Sequence, residues 1–236
     1  MQNPETLPWA TARPLPDSFF QRDARELACA LLGKVIRRRY QGRWLSARII
    51  ETEAYLLEEK GSHASLGYTE ARRALFMDGG TLYMYYARGG DSLNFSAAGP
   101  GNGVLIKSGH PLLDEVSDQT SLRLMQQLNP ATNGDYRPVE KLCAGQTLLC
   151  KALALKVPDW NAQRFDTGQL FVDDDSYRPQ HILQTTRLGI PAGRDENLPY
   201  RFVDATYARH CTRNPMGRNR IEGRDYQRLN APWKAC

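Results

Sequence analysis

The octapeptide Arg48-Ile49-Ile50-Glu51-Thr52-Glu53-Ala54-Tyr55 constrains the fold most tightly, because it runs an apolar pair into two carboxylates and then an aromatic ring. A strand is predicted here, with Ala47, Ile49, Glu51, Glu53 and Tyr55 on one face and Arg48, Ile50, Thr52 and Ala54 on the other. Same-face neighbours then stand roughly 7 Å apart, which lines up a carboxylate and a ring where the strand leaves the core. A carboxylate beside an apolar ring is a common setting for a general base. The same pattern also describes a strand whose last polar residues simply reach solvent.

Of the 236 residues, 41% are hydrophobic and 24% charged, which is ordinary globular material with enough apolar side chain for a core. No run of 18 apolar residues marks a membrane span, and the N-terminal residues show no secretory pattern, so a cytoplasmic location is expected. Cys29, Cys143, Cys150, Cys211 and Cys236 include no C-x-x-C pair. An odd set without that spacing argues against a disulfide framework or a zinc knuckle and for a reducing compartment. A net charge of +5 and a pI near 9.0 suit a polyanionic partner without specifying one.

Residues 1–16, with prolines at 4, 8, 14 and 16, read as an irregular lead-in. Asp17 or Ser18 is placed to cap a helix over Phe19–Leu32, which Gly33 ends. Lys34–Tyr40 and Trp44–Tyr55 read as strands joined at Gln41-Gly42, and Arg37-Arg38-Arg39 as a solvated strand end. Residues 56–80 form a long polar connection of the kind that is functional or mobile. It carries His63, which taken alone reads as structural or solvent-exposed. Thr81–Tyr86 is an aromatic strand with Tyr83 and Tyr85 on one face, suited to core packing or to base stacking. Ala87-Arg88-Gly89-Gly90-Asp91 is a tight turn, followed by short strands at Ser92–Ala97 and Gly103–Ser108. A helix is predicted over Pro111–Leu128, and Cys143-Ala144-Gly145-Gln146 opens another, a turn type that can hold a phosphate. Gln169–Asp173, Arg178–Thr186 and Tyr200–Tyr207 alternate like strands. From Arg209 to Cys236, six arginines and one lysine stand against two acids, which reads as an irregular basic tail. The organisation expected is one domain over residues 17–215, with a tail over 216–236.

In this order the pieces resemble the alkyladenine (3-methyladenine, methylpurine) DNA glycosylase family. Ile50-Glu51-Thr52-Glu53-Ala54-Tyr55 matches its hallmark. His63-Ala64, Phe76-Met77, Gly80-Thr81-Leu82-Tyr83-Met84-Tyr85, Leu93-Asn94, Leu142-Cys143-Ala144-Gly145 and Leu149-Cys150-Lys151-Ala152-Leu153 follow in the family sequence. The resemblance implies a single α+β domain with a curved, mostly antiparallel sheet, similar to the C-terminal domain of formyltransferases, surrounded by helices. It implies a monomer that binds duplex DNA, flips out damaged purines and hydrolyses the N-glycosidic bond with one water, using no metal or nucleotide cofactor. Glu53 would be the general base, while Glu51, to which the resemblance assigns no chemistry, reads as structural and placed to meet an arginine. Tyr55, His63, Tyr83 and Tyr85 would hold the base, the backbone at Ala64 would meet its edge, and Asn94 would shape the pocket.

Four positions depart from the family pattern. Lys107 stands where an arginine usually holds the catalytic water, so charge is kept but the planar fork is lost. His110-Pro111 replaces Glu-Pro. Tyr86-Ala87-Arg88-Gly89-Gly90 replaces the tyrosine wedge region, leaving Arg88 or Tyr86 to fill the gap in the duplex. Thr69-Glu70-Ala71-Arg72 displaces an arginine by one residue. Arg72, Arg73 and Gly145 are the further DNA-side candidates. Two other readings compete. One is a lesion-recognition protein of the same fold that cuts nothing. The other is a nucleoside or carbohydrate hydrolase that uses Glu51 and Glu53 as an acid–base pair.

Overall fold

The computed structural model describes residues 11–87 and 89–230; Arg88, residues 1–10 of the lead-in and residues 231–236 of the tail lie outside that description. Asp17–Phe20 forms a single 3-10 turn, and α1 (Ala24–Leu31) follows. The helix expected from Phe19 is divided because the Asp23 carboxylate accepts the Arg25 N–H and starts α1 afresh. Helix α1 buries Leu27, Ala28 and Leu31 completely. Each leucine buried in this way contributes about 1.5–3 kcal/mol. Gly33 then turns the chain with φ at 86°, a left-handed value that glycine adopts without a Cβ clash.

Strands β1 (Val35–Tyr40) and β2 (Arg43–Tyr55) form an antiparallel hairpin. The chain continues through β3 (Leu82–Ala87), β4 (Gly90–Ser96), β5 (Gly103–Pro111), α2 (Gln119–Leu128), α3 (Val139–Leu142), α4 (Gln146–Ala152) and α5 (Val157–Trp160). It ends through β6 (Leu170–Asp173), β7 (His181–Thr185), β8 (Arg201–Asp204) and β9 (Tyr226–Asn230). The nine strands of the described residues make one sheet in the order β3-β4-β5-β2-β8-β7-β9. Strand β1 pairs with the first half of β2, and β6 with the outer side of β1. Every pairing between these strands is antiparallel, so the molecule is an α+β domain built on one open sheet.

Strand β2 is the longest, and its register with β5 slips twice. Ile49 pairs with Gly109, Glu51 with Ser108 and Thr52 with Ile106, so Ile50 is extra on β2 and Lys107 is extra on β5. A slip of one residue exchanges the faces of a strand. Ala47 and Ile49 lie in the main core together with Ala54, and Thr52 Oγ1 donates to the Ala28 carbonyl of α1 at 2.9 Å. Ile50 packs instead with Leu183 and Val203. The common face expected for Ala47, Ile49, Glu51, Glu53 and Tyr55 is therefore broken. The first two point into the main core, and the last three turn to the opposite side of the sheet.

Other expectations are corrected for local reasons. Helix α2 begins at Gln119 rather than Pro111. Pro111 ends β5, the Asp114 carboxylate accepts the N–H groups of Val116 and Ser117 in a turn, and Asp118 caps the helix. Arg37 is not a solvated strand end: it is buried, with Asp114 at 2.7 Å and Asp173 at 3.0 Å. Part of the basic stretch is ordered structure, since Ala205–His210 is a 3-10 helix and β9 pairs with β7. Cys143, Cys150 and Cys211 are free, buried thiols, and Cys29 is buried as well. Among the described residues no helix is long and apolar enough to cross a membrane.

Candidate active site

The end of β2, the β3–β4 hairpin, the turn at residues 61–66, the start of α4 and the loop after β7 surround a cavity of about 640 Å³. The hairpin and α4 meet closely. A Cβ at Gly90 would lie 2.8 Å from the Thr147 side chain, so only a glycine lets the two approach this far.

Glu53 lies beneath the floor of this cavity and is fully buried. Its Oε2 accepts from the Tyr55 hydroxyl at 2.8 Å and from Lys107 Nζ at 3.4 Å. Its Oε1 accepts from the Leu188 N–H at 3.0 Å. Tyr55, Lys107 and Leu188 all line the cavity, whereas Glu53 itself does not reach the lining. The slip in register explains the position of Lys107. As the extra residue of β5, it stands beside the same-face pair Glu53 and Leu105 rather than opposite a β2 partner.

Behind Tyr55 lies Arg187, its guanidinium 4.6 Å from the ring centre. Arg187 is buried, donates to the Ala54 carbonyl at 2.9 Å and pairs with the Glu59 carboxylate. Burial pushes the Tyr55 hydroxyl well above its ordinary pKa, and the charge of Glu53 adds to the shift. Tyr55 therefore stays protonated and remains a donor to Glu53.

An aromatic group forms the opposite wall. His63 meets Tyr85 edge to face at 4.4 Å, and Tyr83 stacks on Tyr85 at 5.4 Å. His63 Nδ1 and the Tyr83 hydroxyl are hydrogen-bonded at 3.1 Å. Burial pushes the Tyr83 hydroxyl up to about 12. His63 is open to solvent along one side, yet its pKa is lowered by the burial of the rest of the ring and by Arg72 and Arg194. The neutral imidazole therefore persists to lower pH than usual. Asn94 lines the cavity, and its Nδ2 donates to the Tyr83 carbonyl across the β3–β4 pair at 3.0 Å.

Most of the residues singled out in the sequence converge here. Tyr55, His63, Tyr85, Tyr86, Asn94, Lys107 and Gly145 line the cavity, with Tyr86 exposed at its rim. Glu53 and Tyr83 stand directly behind the lining. Ala64, Arg72 and Arg73 are not part of it. Ala64 is buried with its N–H on Ser62 Oγ, Arg72 closes on the carbonyls of Leu66 and Gly67, and Arg73 pairs with Glu70. Arg88 lies outside the described residues. The sequence reading missed Arg187 and Leu188. Their only local signal is the Gly-Pro punctuation of Leu188-Gly189-Ile190-Pro191 after an alternating strand. Leu188 acts through its backbone N–H, which no side-chain type marks. Among the described residues no cluster of His, Cys, Asp or Glu is arranged to hold a metal ion.

A family model described as methylpurine-DNA glycosylase matches residues 18–208, most of the chain. The chain belongs to the methylpurine-DNA glycosylase family. A relative from Pseudomonas aeruginosa strain LESB58 is 69% identical over 224 residues, covering 95% of this chain and 94% of its own. One from Pseudomonas savastanoi pv. phaseolicola is 68% identical over 212 residues, covering 90% and 95%. A more distant one from Clostridium botulinum is 34% identical over 194 residues, covering 78% and 92%. Each carries the name "Putative 3-methyladenine DNA glycosylase". Of this glycosylase-family chain's departures from the family pattern, Lys107 sits in the cavity wall. His110 sits away from it, packed against Tyr207 and His210.

Proposed function

We propose that this chain is a base-excision-repair DNA glycosylase that removes alkylated or deaminated purines, of the 3-methyladenine, 7-methylguanine, hypoxanthine and ethenoadenine class. It flips the damaged nucleotide out of the duplex and hydrolyses the N-glycosidic bond, leaving an abasic site. The observation that carries this reading is a fully buried carboxylate held by three donors beneath an aromatic-walled cavity. The cavity falls within the few hundred to about 1,000 Å³ usual for small-ligand sites, which accommodates a purine.

Flipping costs a few kcal/mol, least for a lesion that already pairs poorly. The flipped base stacks among Tyr55, His63 and Tyr85, whose electron-rich faces favour a cationic alkylated purine. The neutral state of His63 avoids charge repulsion with such a base. Glu53 deprotonates the attacking water and offsets positive charge on the oxocarbenium-like sugar. Its Oε1 holds the Leu188 N–H and has a further lone pair for that water. Tyr55 and Lys107 fix the other oxygen, so Lys107 supplies the charge that the family's arginine would supply. Tyr86 at the rim and Arg88 are the two candidates for the wedge. Gly145 faces the DNA from the cavity wall, and Arg72 and Arg73 do so from the neighbouring turn.

Glu51 does not serve as a second catalytic carboxylate. Its oxygens are occupied by Arg201 Nε at 2.6 Å, Ser108 Oγ at 2.5 Å and the Thr212 N–H at 2.8 Å. This disfavours the acid–base pair of an inverting hydrolase. Lys107 is committed to Glu53 and no lysine is assigned as a Schiff-base nucleophile, so the enzyme is monofunctional. It acts as a monomer on DNA in the cytoplasm. The test is base release from a duplex with one hypoxanthine and from methylated DNA, each followed with and without alkali. Released purine and alkali-dependent strand breaks are expected. Lesion-selective binding without release would favour the recognition protein instead.

A further inference from the structure

The positive charge of this chain is not spread over the molecule. Residues 1–208 contain 24 basic and 24 acidic side chains, whereas residues 209–236 contain seven basic and two acidic ones. The whole net charge of +5 therefore resides in the segment that follows the family match, which ends at residue 208.

That segment is fastened to the site rather than hanging from it. The Thr212 N–H donates to Glu51 at 2.8 Å, and Thr212 Oγ1 is hydrogen-bonded to Ser108 Oγ at 2.9 Å. The Arg213 carbonyl accepts from Arg201 Nη2 at 2.5 Å. Met216 packs beside Ile50 and Val203. Thr212 itself lines the cavity. The first glutamate of the Glu51-Thr52-Glu53 stretch thus anchors the basic extension at the cavity wall, while the second lies beneath its floor.

Within the extension the arginines divide into two sets. Arg220, Arg224 and Arg228 pair with Asp225 or Glu222. Arg209, Arg213 and Arg218 are exposed and have no carboxylate partner among the described residues. We propose that Arg209, Arg213 and Arg218 form an additional DNA-backbone contact beside the base-binding cavity, supplied by an extension outside the matched family region. Arg213 follows Thr212 directly, Arg209 precedes it by three residues and Arg218 lies six residues on, so a phosphate track leading into the cavity would run along this stretch. The rest of the chain carries no net charge, so this segment adds sequence-independent attraction to whatever contacts Arg72 and Arg73 make.

The inference rests on the DNA-directed reading above, but its test does not require base release. Binding of the full chain to a short unmodified duplex is measured as salt is raised. Each phosphate contact contributes about 0.9 to the slope of log affinity against log salt. The triple variant Arg209→Gln/Arg213→Gln/Arg218→Gln should bind more weakly, with a slope shallower by about 2.7 if all three meet phosphates. The control Arg39→Gln/Arg43→Gln removes charge where β1 turns into β2, roughly 40 Å from Tyr55 by strand rise, and should leave the slope unchanged. A loss of less than one unit in the triple variant, or an equal loss in the control, overturns the proposal. Because the duplex carries no lesion, failure of the glycosylase reading would show up separately as an absence of base release.

Discussion

Glu53 is held by donors from three parts of the chain: the hydroxyl of Tyr55 two residues on, the Lys107 ammonium on β5 and the Leu188 N–H after β7. Tyr55 has two separable roles, a ring that lines the cavity and an O–H that orients the carboxylate. Tyr55→Phe keeps the first and removes the second. A hydrogen bond to a charged group is worth about 1.5–3 kcal/mol, so single-turnover excision should fall at least about tenfold while lesion binding is kept. Excision and binding both unchanged in Tyr55→Phe would assign Tyr55 to stacking alone. The carboxylate and the ring were legible because each is a side chain in a recognisable strand pattern. Leu188 was not, because its contribution is a peptide N–H brought 135 residues along the chain to its partner.

The elements around the cavity are tied together by Arg187. It joins the end of β2 through the Ala54 carbonyl, the following turn through Glu59 and the loop of Leu188 through its own backbone. Removing one partner of a buried ion pair leaves the other uncompensated, at a cost of about 3–5 kcal/mol. Arg187→Met should therefore lower the melting midpoint by roughly 10 °C for a chain of this size, as read by calorimetry. Adding Glu59→Gln should recover part of that loss. If the single and double variants melt together, the pair is not what holds these elements. The paired strands and the aromatic β3 were readable from alternation and turns. The double slip between β2 and β5 was not, since neither Ile50 nor Lys107 carries the glycine or proline that would announce a bulge. Nor could the burial of Arg37 be read locally, because its Asp173 partner lies 136 residues away.

At the scale of the molecule, one open sheet places the Glu53 carboxylate, the aromatic wall and the basic extension around a single cavity. The class of fold and most of this site were available from ordered motifs along the chain. What the sequence could not supply was which groups hold Glu51, since Arg201 and Thr212 lie 150 and 161 residues along the chain. Glu51 binds Arg201 and the Thr212 N–H and so fixes the extension, while Glu53 faces Tyr55, Lys107 and Leu188. That division of labour is tested most directly by single-turnover release of hypoxanthine from a duplex, with wild type, Glu53→Gln and Glu51→Gln compared alongside lesion binding. Glu53→Gln should abolish measurable release and retain lesion binding, whereas Glu51→Gln should lose stability and DNA affinity but still release base at saturating enzyme. Release by Glu53→Gln at the wild-type rate would contradict that division of labour.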